Sequence, residues 1–393
     1  MIEKLFIIET QENMGNTNIM FKIAENAQQL KAIYSFRYKI YIQEMGKTIV
    51  GVDHENQILK DHRDDDAVQF YLEDHEGVFA CLRTFFSGDK PFSTEEIKDY
   101  GLDKFLAFKK DAICLSGKLM IDAKKRNSSA LGILLGNAYK YGRERGVQFD
   151  FCNCAPSLVQ LYEILGYRRY KDNISDDDVG YRVPLVNVLE DVQHYQFIHS
   201  PFYRYAKELP NDTTSSDWFA KNFKVKIRHI FRNLVDEEII WKYFSNTLGD
   251  YGIPLLEGFT KKEKEALMAQ GTLIGVKKGK SITNRGNWGE SLYIILAGKV
   301  EVFIHKKEEE FSLGYLGRGQ VFGLSAFVNA LELANTIAIK NTELLEISKF
   351  SYQRLSKKNP TLTHKLNLNL LKILSKRFSH VTDRWVNSLK QKK

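Results

Sequence analysis

The first part of the chain alternates between apolar runs with helical spacing and shorter runs with strand character. Between 30 and 45 the apolar positions lie three to four residues apart, which predicts a helix with one buried face. These positions are Leu30, Ile33, Tyr34, Tyr38 and Tyr41. Polar residues at 53–66 indicate a loop, and two apolar runs around a glycine-containing turn at 68–86 predict a β-hairpin.

A strand, a helix and a second strand follow this hairpin. The apolar run at 112–121 and the short run at 147–152 predict the strands, and the segment 129–146 between them predicts a helix. Another helical pattern follows the second strand. The order helix, hairpin, strand, helix, strand, helix is typical of an α/β layer rather than of a helical bundle.

After Pro201 the pattern becomes that of a basic amphipathic connecting helix. Its apolar positions are Trp218, Phe219, Phe223, Ile227, Ile230, Phe231, Leu234 and Val235. Its basic positions are Lys221, Lys224, Lys226, Arg228 and Arg232. Such a helix can lie on a membrane surface or pack on a neighbouring domain. We favour packing, because globular proteins bury apolar stripes far more often than they insert them in membranes.

The last third of the chain predicts a β domain enclosed by helices. Thr260 and Glu263 have the spacing of a capping box that begins a short helix. Short β-rich stretches broken by glycines fill 272–347 and predict a β-barrel or sandwich. A long closing helix can pack on this domain or on a second copy of itself, which would make a homodimer. Its apolar stripe is Leu362, Leu366, Leu370, Ile373, Leu374, Val381, Trp385 and Leu389.

Composition supports a globular chain of two domains without a membrane span. The chain has 393 residues, of which 43 % are hydrophobic and 27 % charged. The longest apolar runs stop short of the roughly 20 residues that cross a bilayer, and the first residues lack the pattern of a secretion signal. We therefore expect a cytoplasmic protein. Four cysteines make no disulfide framework or zinc ligand set, so we expect reduced thiols and no metal at Cys81, Cys114, Cys152 and Cys154.

Charge is concentrated in the second half. Residues 1–200 carry 25 Lys and Arg against 30 Asp and Glu, a net charge of −5, whereas residues 201–393 carry 32 against 19, a net charge of +13. Such a half attracts an anionic membrane surface, an acidic partner or nucleic acid, although a solvated basic face is an equal alternative. Peripheral contact with the inner face of the membrane is one expectation. Only eight residues follow Trp385, too few for a helix-turn-helix, so no nucleic-acid partner is expected.

Four short motifs in the first half resemble those of the GNAT acyltransferases. The segment Asn153–Tyr167 is similar to the strand, helix and Gly-aromatic ending of that fold. Upstream, Phe36–Glu44, the pair Asp61 and Asp64, and Cys81–Arg83 resemble acyl-homoserine-lactone synthases and long-chain N-acyl amino acid synthases. The resemblance covers roughly residues 20–185. It implies an enzyme in which a small amine attacks an acyl thioester.

The resemblance places Arg37, Asp61, Asp64 and Arg83 in the pocket for the amino substrate. An arginine fork binds a carboxylate through two hydrogen bonds, and an aspartate holds or helps to deprotonate an ammonium group. A surface charge or a structural ion pair is the alternative for each of these four residues. Tyr162 matches the position of the acid that protonates the departing thiolate, and a core tyrosine is the alternative there.

The acyl donor is expected at the segment Arg126, Asn127, Ser128, Ser129 and Ala130, where a helix begins. Ser129 and Leu131 replace the small residues that let a pyrophosphate approach, so we favour acyl-carrier protein over acyl-CoA. The basic residues Lys124, Lys125 and Arg126 suit an acidic carrier, and no permanently bound cofactor is expected. Lys118 stands where these synthases carry an arginine and is expected among the residues that bind the acyl donor, and their usual glutamate is replaced by Leu115.

A second resemblance covers about residues 255–350. The segments Gly289–Val302 and Leu316–Gly323 look like a cyclic-nucleotide-binding domain. In that family a glutamate binds the ribose and an arginine pairs with the cyclic phosphate, but Leu324 and Glu332 stand at those places here. A carboxylate repels a phosphate in a pocket of low dielectric. We therefore expect the fold without the usual nucleotide binding.

Together these patterns predict an α+β protein: a GNAT-like α/β domain at 20–200, a helical linker at 201–250, and a cyclic-nucleotide-binding-like β-barrel with flanking helices at 251–393. The expected function is transfer of a fatty acyl group from acyl-carrier protein or acyl-CoA to the amine of an amino acid or related small molecule. The C-terminal domain would regulate or localise this activity. The alternative is a sensor or scaffold of acyl chains or nucleotides without catalytic activity.

Overall fold

The structure is a computed structural model that describes residues 19–47, 49, 51–126, 128–176, 180–223, 252–306, 309–328 and 330–390. These residues divide between two compact units. The first unit takes its residues from 1–154, 161–172 and 184–225, and the second from 155–160, 173–183 and 226–393. The predicted linker is therefore split, because residues 201–223 belong to the first unit. The rest of the predicted linker, from 224 to 250, lies outside the described residues.

The first half of the chain forms eight strands and seven α-helices among its described residues. In chain order they are β1 Met20–Ile23, α1 Ala27–Tyr38, β2 Val68–Asp74, β3 Gly77–Phe86, α2 Thr94–Tyr100, β4 Ile113–Ile121, α3 Ala130–Glu144, β5 Phe149–Cys154, α4 Val159–Leu165, β6 Arg168–Arg169, β7 Ile174–Asp176, β8 Gly180–Val188, α5 Val192–Phe197, α6 Tyr203–Ala206 and α7 Thr214–Asn222. The early helix predicted for 30–45 is α1, which continues as a π-helical turn at Lys39–Glu44.

These strands form one sheet in the order β1-β2-β3-β4-β5-β8-β6, with β7 also paired to β8. The predicted hairpin is confirmed as β2 and β3, which pair antiparallel around a turn between Asp74 and Gly77. Strands β4 and β5 are parallel neighbours only at Ile113–Leu115 and Phe149–Phe151. Beyond this short ladder β4 continues to Ile121 and β5 to Cys154. The backbone N–H and C=O groups of these two continuations do not pair with each other.

An aromatic cluster explains why the start of the predicted connecting helix packs in the first unit. Phe105, Phe149 and Phe151 are buried there together, and the rings of Trp218 and Phe223 lie 5.1 and 5.4 Å from that of Phe105. Burial of such rings removes a large apolar area from water. The remaining apolar positions of that pattern, Ile227, Ile230, Phe231, Leu234 and Val235, lie outside the described residues.

The second unit contains eight strands and three α-helices among the described residues from 252 onward. They are α8 Lys261–Met268, β9 Thr272–Val276, β10 Ser281–Thr283, β11 Ser291–Ala297, β12 Lys299–Lys306, β13 Glu309–Gly317, β14 Val321–Phe322, β15 Asn335–Ala338, β16 Thr342–Ser348, α9 Lys349–Lys358 and α10 Pro360–Lys390. The predicted capping box is confirmed: the Glu263 amide donates to the Thr260 hydroxyl, and the Glu263 carboxylate accepts from the Thr260 amide.

The prediction of a closed barrel is wrong. The strands form two four-stranded sheets, β10-β15-β12-β13 and β14-β11-β16-β9, and no ladder between the described strands joins them. Glycine punctuation is common to barrels and sandwiches, so it could not decide between them. The buried side chains of β11, including Leu292 and Ile294 on one side and Tyr293 and Ile295 on the other, belong to two separate apolar clusters.

The long closing helix α10 has two different apolar faces. Leu362, Leu366 and Leu370 are buried in the core of the second unit. The exposed apolar side chains further along are Leu371, Leu374, Phe378 and Val381. Packing of that second face on another copy of the chain stays a prediction. Within the described part of the chain, no helix combines the length and apolar character that a membrane crossing requires.

Candidate functional site

A buried ion pair lies at the centre of the predicted amino-substrate pocket. Arg37, in the last turn of α1, donates from Nη1 to Asp64 Oδ1 over 2.7 Å and from Nη2 to Gln69 Oε1 over 2.5 Å. The side chains of Arg37 and Asp64 are both completely shielded from solvent. Asp64 Oδ2 also accepts the backbone amide of Asp61 over 2.7 Å. This arrangement fixes the loop that carries both aspartates.

Arg83 extends the ion pair into a cluster. From β3, its Nη1 donates to Asp61 Oδ2 over 2.5 Å and to Asp64 Oδ1 over 3.0 Å. Its Nε is buried and has no hydrogen-bond partner among the described residues. Lys118 Nζ lies 3.5 Å from the same Asp61 oxygen. With Arg37, the cluster holds three cations and two carboxylates, so it carries one excess positive charge and favours an anionic group.

The charges of the cluster set the protonation of its members. Burial alone would raise the pKa of Asp61, but Arg83 and Lys118 outweigh burial and lower the pKa to about 2. Asp61 is therefore ionised near neutral pH and is a poor proton acceptor. Burial and the neighbouring Arg83 lower the pKa of the Lys118 ammonium. Lys118 also has a left-handed backbone with φ of 54°, a strained conformation that clusters at functional sites.

The four predicted pocket residues thus lie together but differ in exposure. Arg37 and Asp64 are inaccessible and form the structural ion pair that the sequence left as an alternative. Arg83 and Asp61 keep 13 % and 31 % of their side chains exposed, and Lys118 keeps 23 %. Direct contact with a substrate is open to these three residues. Their catalytic roles stay predictions.

Tyr162, the predicted acid, lies on α4 with its ring 5.2 Å from that of Tyr167. Burial, followed by the neighbouring Cys152, raises the pKa of the Tyr162 hydroxyl well above its ordinary value. The ring of Tyr41 lies 5.5 Å from Lys118 Nζ, and Tyr41 also acts on the ionisation of Tyr162. Tyr162 and the ion cluster therefore share a neighbour.

Some polar groups of the predicted acyl-donor segment form hydrogen bonds within the segment itself or with the residue just before it. Ser128 Oγ donates to the Lys125 carbonyl over 2.6 Å and accepts the Ala130 amide over 3.2 Å. Ala130 is fully buried as the first residue of α3. Arg126 Nη2 contacts Glu44 Oε1 at 2.5 Å, and Ser129 Oγ is a buried atom without a partner among the described residues. Asn127 lies outside the described residues.

Sequence reasoning missed Asp150, a carboxyl within β5. Tyr167 donates its hydroxyl to Asp150 Oδ2 over 2.5 Å, and both residues line a cavity of about 30 Å³ together with Cys114 and Ser116. Burial raises the pKa of Asp150 to about 6. An aspartate between two phenylalanines in a strand was the available signal. The four cysteines are buried and form no disulfide.

In the second unit, Glu332 occupies the region where the resemblance places the phosphate-binding arginine. Its backbone is held by Asn287, whose carbonyl accepts the Glu332 amide over 2.7 Å, and by the Gly286 amide, which donates to the Glu332 carbonyl over 2.9 Å. Burial raises the pKa of the Glu332 carboxyl. Gly323, just before Leu324, has φ of 76°. The segment from Gly323 to Glu332, which we call the cassette, corresponds to the phosphate-binding segment of the resembled family and has an acidic side chain at the place of the basic one.

Comparison with known proteins assigns the second unit. Residues 273–359 match the cyclic nucleotide-binding domain family. The cyclic AMP receptor protein of Thermus thermophilus is 30 % identical over 128 residues, which are 32 % of this chain and 57 % of that relative. The chain therefore spans little more than half the length of this curated relative.

Two solved structures are each similar to part of this chain. The catabolite activator protein of Thermus thermophilus is 28 % identical with a TM-score of 0.31, covering 35 % of this chain and 63 % of that one. A cyclic nucleotide-binding domain from Methylobacillus flagellatus is 23 % identical with a TM-score of 0.35, covering 38 % and 85 %. The chain thus carries a domain of the cyclic nucleotide-binding family at residues 273–359.

Proposed function

We propose that the first unit is an N-acyltransferase that acylates a small amine bearing a carboxylate, such as an amino acid. The observation that carries this proposal is the unpaired edge of Arg83. Both ion pairs of Arg83 use Nη1, whereas its Nε is buried without a partner among the described residues. A substrate carboxylate that accepted hydrogen bonds from Nε and Nη2 would satisfy this edge in the two-pronged geometry that arginine favours.

The neighbouring groups suit the chemistry of such a substrate. Asp61, ionised and beside Lys118, would attract the substrate ammonium towards the carboxylate-binding edge of Arg83. The amine must lose a proton before it attacks the thioester, and Lys118, in the deprotonated fraction that its lowered pKa allows, would accept that proton. Tyr162 would donate a proton to the departing thiolate. The N–H groups of β4 beyond Leu115, where the ladder to β5 has ended, would hold the thioester carbonyl.

The acyl donor of this reaction would be acyl-carrier protein rather than acyl-CoA. Of the predicted segment, Ser128 and Ala130 are engaged in the start of α3 and Arg126 is paired with Glu44, which leaves the neighbouring exposed Lys124 for a charged partner. An acidic carrier protein matches this basic side chain. The second unit would regulate the first in response to a ligand other than a cyclic nucleotide.

The competing function is that of a sensor or scaffold without catalysis. Leu115 in place of the usual glutamate and the complete burial of Arg37 favour it. The match of residues 273–359 to a regulatory family fits either function. The two proposals differ in whether a product forms.

Mass spectrometry of lipid extracts tests the choice. Cells that express the full chain are expected to contain a new amide-linked acyl species that is absent without it. Arg83→Ala should abolish this species, because the carboxylate-binding edge is lost. Tyr162→Phe should lower its amount by at least about a hundredfold, the lower limit for loss of a general acid.

Arg145→Ala provides the matched control. Arg145 is also paired with an aspartate, Asp89, but both side chains are at the surface away from the cluster. This variant should accumulate the product as the wild type does. Absence of any new species, also with amino acids and acylated carrier protein supplied to purified protein, would leave the sensor function as the one supported.

A separate prediction concerns the cassette of the second unit. The wild-type chain is expected to show no saturable binding of cyclic AMP or cyclic GMP in calorimetry, because Glu332 repels the phosphate. The double variant Leu324→Glu with Glu332→Arg restores the charges of the binding family and should gain measurable affinity. Tight binding by the wild type that survives unchanged in Glu332→Ala would show that the carboxylate is no obstacle.

A further inference from the structure

A cavity of about 180 Å³ lies between α10 and the segment that joins β13 to β14. Its volume equals that of about six water molecules. Apolar side chains of Val321 and Ile373 line it, and basic side chains of Lys372, Lys376 and Arg377 stand along the helix. These residues are separate from Leu324 and Glu332 of the cassette. The cavity is thus a separate recess of the domain, with a mostly apolar lining and basic side chains along α10.

Arg377 is the most informative residue of the cavity. Its Nη2 donates to the Val321 carbonyl over 2.5 Å, and no carboxylate lies within ion-pair distance of it among the described residues. The side chain is partly buried, and burial lowers the pKa of the guanidinium. A partly buried cation without an anion is costly, so it indicates a missing negative partner.

The other polar groups of the cavity are mostly donors. Gln320 already accepts the Gly317 amide at Oε1 over 2.8 Å, which leaves its Nε2 to donate. Lys372 lies 3.9 Å from Glu257, the one acidic residue of the lining, and both are well exposed. Three cations against one carboxylate leave a net charge of +2. A phosphomonoester carries nearly two negative charges at neutral pH and accepts hydrogen bonds on three oxygens.

We propose that this cavity binds the phosphate group of a small phosphorylated metabolite. The phosphate would accept from Arg377, Lys376 and Gln320, and the apolar wall at Val321 and Ile373 would contact the carbon skeleton of the ester. Such a ligand bridges α10 and the segment before β14. It would therefore stabilise the packing of α10 and give the domain an effector site outside the altered cassette.

Calorimetry on the full chain at low salt tests the site with inorganic phosphate and glycerol 3-phosphate, and with acetate for comparison. We expect saturable binding of both phosphates, tighter for the ester, and none of acetate. Lys376→Gln should weaken binding about tenfold, and Arg377→Gln by more, because each removes one charge-assisted hydrogen bond. Arg377→Gln keeps a donor for Val321, and an unchanged melting temperature without ligand would show that the fold is retained.

Lys358→Gln is the matched control, since Lys358 is an exposed lysine in the last turn of α9 outside the cavity. It should bind both phosphates as the wild type does. The proposal is overturned if neither probe binds the wild type. It is also overturned if Lys358→Gln loses as much affinity as Lys376→Gln, because binding would then reflect the general positive charge of the second half.

Discussion

Asp64→Asn is expected to lower the free energy of unfolding of the first unit by about 3 kcal/mol. Asparagine has nearly the shape of aspartate and can still accept from Arg37, but its amide nitrogen replaces the oxygen that accepts the Asp61 amide, so the change removes the charge and one hydrogen bond. Arg37 would remain fully shielded, with only the neutral Gln69 and the asparagine amide as acceptors. Arg83 would lose one of its two carboxylates. A buried guanidinium without a counter-charge is the source of the cost.

Hydrogen exchange of the β3 amides measures this effect, since it reports the stability of the first unit alone. Asp65→Asn is the matched control in the same loop. Asp65 pairs only with Lys60, and these side chains are 66 % and 42 % exposed, so its loss should cost less than about 1 kcal/mol. Equal effects of the two substitutions would mean that the Arg37–Asp64 pair contributes no more than a surface pair.

The ion cluster shows how far the sequence could define the site. The motifs at 36–44, 61–64 and 81–83 indicated that Arg37, Asp61, Asp64 and Arg83 would lie near one another, and the structure brings them within hydrogen-bond distance. The sequence could not say which of them face solvent. The burial of each charged side chain depends on how α1 packs against β3. The motifs at 36–44 and 81–83 have apolar residues on both faces, so the exposure of their charged residues cannot be predicted from the sequence.

Local signals were reliable where one interaction decides the outcome. The hairpin at 68–86 follows from two apolar runs around a turn, and the capping box at Thr260 follows from two side chains three residues apart. The surface on which an amphipathic helix packs cannot be predicted from such a local signal. Trp218 and Phe219 give their helix an apolar face whatever it packs against. Only the tertiary structure shows that the cluster around Phe105 covers this face. For the same reason the sequence could not distinguish a β-sandwich from a β-barrel in the second unit.

Asp150 was missed because a single charged position in a strand is consistent with an exposed face. The neighbours Phe149 and Phe151 point to one side of the sheet, so alternation places Asp150 on the other side. The sequence gives no sign that α3 covers that side too. Pairing of the carboxyl with Tyr167 and the small cavity beside Ser116 become visible only in three dimensions.

Asp150→Asn is expected to stabilise the first unit at pH 8 by up to about 3 kcal/mol. The pKa of Asp150 is raised from 3.8 to about 6 in the folded protein. Well below pH 3.8 the carboxyl is protonated in both states and costs nothing. As the pH rises to 6, the unfolded chain ionises first, so the wild type loses stability, and above pH 6 the loss stays constant. Two units of pKa correspond to roughly 3 kcal/mol.

Asparagine cannot ionise but keeps an oxygen that accepts from Tyr167, so the variant should lack this pH dependence. Exchange of the β5 amides at pH 4 and pH 8 measures it: at pH 4, just above the unfolded pKa, the two proteins should differ by less than about 1 kcal/mol, and at pH 8 by up to about 3 kcal/mol. Asp89→Asn, at a carboxylate 42 % exposed on the surface, should follow the wild type at both values. If Asp150→Asn were instead less stable than the wild type at pH 8, hydrogen-bond donors would have to stabilise the ionised carboxylate by more than its burial costs. The pKa of Asp150 would then not be raised, and the prediction would be wrong.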